Sequence, residues 1–438
     1  MTTKGYLEEL EWRGLVHQTT AEDELSAFLA SGQRVGYCGF DPTNDSLTIG
    51  NLMPIMLLGH LQRHGHQPIV LMGGGTGLIG DPSGKDAERT LQTREQVESN
   101  VKSCSRIFER VLDFDSSNSN AAVMVNNVDW LEKLGFLEVL RDVGKHFSVN
   151  AMIQKDSVRD RLENREQGIS YTEFSYMLLQ AYDFLHLRRS HDCTLQIAGS
   201  DQYGNIVCGI DLIRRDMIDQ SEDEPRGYGI TGPLVTKADG TKFGKSESGA
   251  VWLTAERTSP YAFYQFWLNA SDEDAGKYLR FFTFLDRDAI EDVEARHTEK
   301  PHERLAQRVL AEEVTRMIHG QDELDRAQAA AGALFGGDIS GLDEVQLKDV
   351  FADVPHSSHS KDSLGQGMLL VDLLPETSLA GSKREAREFL KNGSISINGQ
   401  KLDGGSALEH QLSADDLLYG RSILLRRGKK AWHATEWT

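Results

Sequence analysis

Along its first 230 residues the chain alternates short apolar runs with stretches of helical periodicity. Val35-Gly36-Tyr37-Cys38-Gly39-Phe40 is apolar or small throughout, the pattern of a strand buried on both faces, and Leu52 to Leu58 reads as the helix that follows. Pro68-Ile69-Val70-Leu71-Met72 repeats the strand pattern and ends in Gly73-Gly74-Gly75; Ala122-Val123-Met124-Val125 and Thr194-Leu195-Gln196-Ile197 are two further runs. Strand, helix and strand at this spacing predict a Rossmann-like α/β fold with a doubly wound parallel sheet. Ligands of such sheets bind beyond the C-terminal strand ends, which directs attention to Asp41, Gly73 to Asp81, Asn126 and Gly199 to Gln202. From about Thr254 to Gly336 the periodicity is helical. A polar stretch from Pro355 to Ser363 reads as a linker, and a compact unit of about 70 residues follows it.

Composition narrows the class. At roughly 150 residues per domain, 438 residues make two to four domains. No apolar run approaches the roughly 20 residues that span a bilayer, and Met1 to Trp12 is acidic with no apolar core, so no membrane segment or leader is expected and the cytoplasm is the default. Cys38, Cys104, Cys193 and Cys208 form no C-x-x-C pair and have no histidine at zinc-ligand spacing, so neither a metal site nor a disulfide framework is indicated. The net charge of −20 opposes non-specific nucleic-acid binding. Its distribution changes that picture: from Ser378 to Thr438 there are ten Lys or Arg against seven Asp or Glu. That sign change makes the tail the place to look for an RNA contact.

Several segments carry candidate chemistry. If Thr172 to Leu185 is helical, Phe174, Met177, Leu178, Ala181 and Leu185 form an apolar stripe. Tyr176, Gln180 and Asp183 then share another face at i, i+4 and i+7. A solvated face is the ordinary reading; a phenol, an amide and a carboxylate together could also hold an ammonium group and a hydroxyl. Gly75-Thr76-Gly77-Leu78-Ile79-Gly80 matches G-x-G-x-x-G, but Asp81-Pro82 interrupts the helix that would receive a pyrophosphate, so a tight glycine turn is the alternative. Lys242 and Lys245 lie three apart in a Gly/Ser/Thr-rich loop, where they either close on a polyphosphate or remain solvated. In the tail, Arg384, Arg387 and Lys391 oppose Ala386, Phe389 and Leu390 on an amphipathic helix ahead of an Asn398-Gly399 hairpin. That suits RNA-backbone contact as well as it suits a solvated basic face.

These pieces occur together and in order, and on them the whole chain resembles the bacterial-type tyrosyl-tRNA synthetases of class I. Tyr37 to Thr43 looks like the family's first strand and turn. Thr48-Ile49-Gly50-Asn51 stands at the HIGH motif and Lys242-Phe243-Gly244-Lys245-Ser246 at the KMSKS motif. Tyr176 to Asp183 and Gly199-Ser200-Asp201-Gln202 look like substrate-binding segments, and Ser382 to Leu402 is similar to an S4 RNA-binding domain.

The resemblance implies a tyrosine site in which Tyr37 and Asp183 meet the phenol, Asp81, Tyr176 and Gln180 hold the ammonium, and Gln202 lies near the carboxylate. It implies ATP contacts from Asp41, Gly50, Gly199, Asp201 and Lys245, with Asp201 on the ribose. Thr43, Thr48, Asn51, Lys242 and Lys245 would act catalytically on the triphosphate. Asn51 keeps an N–H donor where the motif has its second histidine; Thr48 replaces the first with a shorter side chain. Lys383, Arg384, Arg387 and Lys391 would contact transfer RNA. ATP is implied as a substrate accompanied by Mg²⁺, with L-tyrosine and tRNA(Tyr) as the other partners of a homodimer. The domains implied are 1–232 catalytic, 233–253 the lysine loop, 254–354 helical and anticodon-reading, 355–370 a linker and 371–438 S4-like. The rivals are a tryptophanyl-tRNA synthetase, against which Tyr37, Asp183 and the tail speak; a synthetase-like RNA binder that has lost catalysis; and a nicotinamide-dependent oxidoreductase resting on Gly75 to Gly80 alone.

Overall fold

A computed structural model of the chain describes residues 5–438 except 81–91, 155–157, 160–161, 163–168, 217–226, 242, 247–248, 337–338, 340, 353, 404–405 and 429–430. They form two compact units, one of Met1–Thr258 with Trp267–Ile318 and one of Ser259–Phe266 with His319–Thr438.

The first unit is built on a six-stranded sheet. Its strands are β1 (Gln18–Thr19), β2 (Val35–Phe40), β3 (Gln67–Met72), β4 (Val123–Asn126), β5 (Cys193–Gly199) and β6 (Tyr228–Gly232), in the order β1-β6-β5-β2-β3-β4. All neighbours are parallel except the short edge strand β1. The chain winds outward from β2 through β3 to β4, then returns to β5 and β6 on the other side. The order therefore reverses between β2 and β5, where such sheets open a ligand crevice. Alternation along β2 assigns the two faces. A Cβ on Gly36 would meet Leu61 of the helix Leu52–Arg63, whereas the next residue, Tyr37, packs on Phe184 of the helix Tyr171–His191. The strands are thus covered on both sides, which is why they read as continuous apolar runs.

Two structural features bear on the domain layout. The helical stretch 254–354 is not one body, because Trp267–Ile318 belongs to the first unit. The nearly buried guanidinium of Arg13 binds it there, donating to the carbonyls of Arg280, Thr283 and Leu285 at the end of the helix Asp272–Phe282. The polar stretch from Pro355 to Ser363 contains strand β9 (His356–His359).

The second unit carries β9 in a sheet with β10 (Ile395–Ile397), β11 (Gln400–Lys401), β12 (Ser422–Arg427) and β13 (Ala431–Trp437), ordered β11-β10-β12-β13-β9; β7 (Lys245–Ser246) and β8 (Gly249–Ala250) form a separate hairpin in the first unit. β9 runs parallel to β13, and its polar side chains are used. Ser357 Oγ bonds to both His433 Nε2 (2.9 Å) and His359 Nε2 (2.7 Å). Both faces of this sheet are covered too. Ile423 and Leu425 join the helix Lys383–Lys391 in one core, and Leu424 packs with Phe351 and Trp432 in the other.

Candidate active site

At the reversal between β2 and β5 lies a cavity of about 590 Å³. The loop after β2 brings Asp41 and Thr43 to it, β2 itself brings Tyr37, and the turn ahead of the helix Leu52–Arg63 brings Thr48, Gly50 and Asn51. The helix Tyr171–His191 adds Tyr176, Gln180 and Asp183, and the segment after β5 adds Gly199, Asp201 and Gln202. Twelve candidates drawn from separate stretches of sequence therefore line one space.

The inner end is buried and polar. Asp183 is 2% exposed; its Oδ2 accepts from Asn127 Nδ2 (3.0 Å) and its Oδ1 from Trp130 Nε1 (2.8 Å). Burial pushes its pKa up to about 7; the two donors hold it down, and the nearby charge of Asp41 adds to the rise. The hydroxyl of Tyr37, on a residue 1% exposed, has no partner among the described residues. Burial and then the charge of Asp183 push its pKa well above the ordinary tyrosine value, so it is a donor at any working pH. A buried unpartnered hydroxyl costs about 1–3 kcal/mol. A sheet that carries one beside a buried carboxylate is arranged to meet a group that both donates and accepts.

Further along, Asp41 is held by Thr76 Oγ1 (2.8 Å, to Oδ1) and by the hydroxyl of Tyr176 (2.9 Å, to Oδ2). Asn205 Nδ2 donates both to Gln180 Oε1 and to Gln202 Oε1, each at 2.9 Å, and Gln202 Nε2 donates to Asp201 Oδ2 at 3.1 Å. Asp41, Gln180, Asp201 and Gln202 thus bring acceptor oxygens to the lining of one cavity.

The glycine run after β3 serves packing instead of phosphate binding. Gly74 N donates to Asn126 Oδ1 (3.0 Å) and Gly75 N to Asn127 Oδ1 (2.7 Å), so neither amide is left for a pyrophosphate. A Cβ on Gly73 would lie 2.1 Å from Asp41 Oδ1, so glycine there is what lets the carboxylate approach. Thr76–Leu78 is a single 3-10 turn. The nicotinamide reading loses its only support.

The lysine loop is described in part. Phe243 stacks on Phe282 (centroids 5.3 Å apart, 7° between planes) and lies against Tyr278 and Trp267. Gly244 has φ +84°, a conformation that strains any other residue, and a Cβ there would lie 2.8 Å from Ile49 in the Thr48–Asn51 turn. The loop returns to the same turn through Val251, whose N donates to Gly244 O (3.0 Å) and whose O accepts from Ile49 N (2.9 Å). The two motif segments thus share one backbone network. Lys245 is described by its backbone alone, and Lys242 and Asp81 lie outside the described residues.

In the second unit the helix Lys383–Lys391 starts on Ser382, whose side chain accepts from Glu385 N, and buries Ala386 and Leu390. Arg384, Arg387 and Lys391 are exposed; Lys383 is exposed but pairs with Asp372 at 2.7 Å.

Asn127, Trp130 and Asn205 are not among the candidates that the sequence marks; Thr76 is marked only as part of the glycine-rich turn. Asn127 directly follows β4, so the rule of strand ends points to its neighbourhood; Trp130 carried no such signal.

Known proteins are similar to this chain in sequence and in fold. Residues 32–336 match the family model of class I tRNA synthetases (W and Y), and residues 346–435 match that of the tyrosine–tRNA ligase SYY-like C-terminal domain. The class is therefore that of the class I aminoacyl-tRNA synthetases for tryptophan and tyrosine. Within it, a tyrosine–tRNA ligase of Staphylococcus haemolyticus is 51% identical over 426 residues, 97% of each chain. Solved structures of C-terminally truncated mitochondrial tyrosyl-tRNA synthetases agree. That of Aspergillus nidulans has TM-score 0.68 at 30% identity, covering 75% of this chain and 94% of its own. That of Coccidioides posadasii has TM-score 0.65 at 31% identity, covering 74% and 91%. The chain belongs to the tyrosine–tRNA ligase family.

Proposed function

We propose that the inner end of the cavity reads the tyrosine phenol and that the outer end carries the ATP triphosphate. The observation that carries this reading is the unpartnered, buried hydroxyl of Tyr37 beside the carboxylate of Asp183. In it Tyr37 donates to the phenol oxygen and Asp183 accepts the phenol proton, with Asn127 and Trp130 holding the carboxylate in place. A site built to bond a hydroxyl rejects the analogue lacking it, because its own buried groups are then left unpaired; tyrosine against phenylalanine is the usual illustration of this asymmetry. Tyr176, Gln180 and Asp81 hold the ammonium, Gln202 lies by the carboxylate, and Asp201 takes the ATP ribose, with Asp41, Gly50 and Gly199 completing the nucleotide contacts.

The tyrosine carboxylate then attacks the α-phosphorus in line and pyrophosphate leaves. In a second step the ribose hydroxyl of the transfer RNA's 3′ terminus attacks the tyrosyl carbonyl of the adenylate, forming the ester as the carbonyl–phosphate oxygen bond breaks and AMP leaves. Nothing in this chemistry requires a nucleophilic side chain; positioning and stabilisation of developing charge suffice. Thr43, Asn51, Lys242 and Lys245 supply that charge stabilisation. Mg²⁺ accompanies the ATP phosphates in this reading, with water completing its shell.

Arg384, Arg387 and Lys391 contact the transfer RNA backbone. The exposed apolar residues Phe136 (69%) and Leu137 (78%) support a homodimer, since side chains of that size are rarely left in water together. Among the described residues no helix is long and apolar enough to cross a membrane, and family membership supports a cytoplasmic enzyme.

Single-turnover formation of tyrosyl-adenylate tests the outer end: Lys245→Ala slows it at least about tenfold, or 1.4 kcal/mol. An unchanged rate removes Lys245 from the reaction.

A further inference from the structure

The first residue of the HIGH-like turn is threonine, and its hydroxyl is already used. Thr48 Oγ1 lies 3.0 Å from Asn51 Oδ1, and the Thr48 backbone N–H donates to the same oxygen at 3.1 Å. The backbone N–H has no lone pair, so it opposes only an oxygen; that settles which way the amide of Asn51 faces. With Oδ1 held by two donors, the Asn51 Nδ2 hydrogens point away from Thr48, and among the described residues nothing accepts them. Both residues line the 590 Å³ cavity.

The backbone around the pair is braced. Thr48 bridges Trp252, Ile49 N donates to Val251 O (2.9 Å) and Leu253 N donates to Leu47 O (2.9 Å). The direction of the Thr48 N–H is therefore fixed by the fold before any ligand arrives.

We infer that Thr48 is a positioning residue: it holds the Asn51 amide so that its N–H₂ is presented to the triphosphate, and it makes no phosphate contact of its own. This rests on the reading that Asn51 faces the triphosphate. A donor held in place before charge develops stabilises the transition state without reorganising, so its loss lowers the rate of the chemical step more than the affinity for ATP.

The test is a double-mutant cycle read by single-turnover adenylate formation and the ATP KM. Thr48→Val removes the hydroxyl but keeps its shape and the backbone N–H. It lowers the rate roughly fivefold, as expected for one neutral hydrogen bond, and leaves the ATP KM within about twofold. Thr48→Ser restores the wild-type rate. In the Asn51→Ala background Thr48→Val has no further effect. An equal loss in both backgrounds means that Thr48 acts on the phosphates directly and overturns the inference. A normal rate in Thr48→Val, with Asn51→Ala still slow, overturns it while leaving Asn51 in its role. A normal rate in Asn51→Ala removes the reading of Asn51, and the inference with it.

Discussion

The helices Tyr171–His191 and Lys383–Lys391 show the same pattern in sequence, an apolar stripe opposed by a polar face, and put the polar face to opposite uses. In the first, Tyr176 and Asp183 are as buried as the apolar Met177 and Leu185, and they line a cavity. In the second, Arg384, Arg387 and Lys391 stand in solvent over buried Ala386 and Leu390. The difference is one of desolvation. A phenol, an amide and one carboxylate can be taken out of water if each finds partners, and Asp183 finds them in Asn127 and Trp130. Four cations within nine residues cannot, so their face stays outward and suits a polyanion.

The largest effect should come from breaking the inward face. Asp183→Ala lowers kcat/KM for tyrosine by about 100-fold, the worth of a charge-assisted hydrogen bond in a buried site, and erases the preference over phenylalanine. If that preference survives in pyrophosphate exchange, the phenol is read elsewhere. The outward face gives a smaller effect of a different kind. Arg384→Glu with Arg387→Glu raises the KM for transfer RNA by about tenfold and reduces the salt slope of binding by about one for each phosphate no longer neutralised, with pyrophosphate exchange unchanged. A loss of exchange in that variant would contradict the separation of the two faces.

The smallest effect sharpens the electrostatics. Burial pushes the Asp183 pKa up to about 7, and in the proposed reading the carboxylate accepts the phenol proton only when ionised. Thus kcat/KM for tyrosine falls as pH drops below about 7. Trp130→Phe removes a donor that favours the ionised form, so the midpoint moves to higher pH. A midpoint that moves down, or stays in place, assigns the profile to another group.

Four of the six strands of the first sheet were legible because strands covered on both faces are apolar along their length. β1 has two residues and β6 carries two glycines, so neither makes such a run. β9 carries no strand signal because an edge strand of His and Ser has no apolar pattern; its order comes from β13 and from His433, more than 70 residues away. The same holds in the site. Tyr176, Gln180 and Asp183 could be grouped by helical spacing, whereas the pairing of Asp183 with Asn127 and Trp130 crosses more than 50 residues and belongs to the fold. The roles of the Thr48–Asn51 turn and the lysine loop came from resemblance, since no periodicity marks them.

The most direct test of the account is ATP–pyrophosphate exchange with the purified protein and each of the twenty amino acids in turn. The account predicts exchange with tyrosine, none with tryptophan, and none with phenylalanine at the same concentration. Exchange with phenylalanine as strong as with tyrosine, or no exchange with any amino acid, would contradict it.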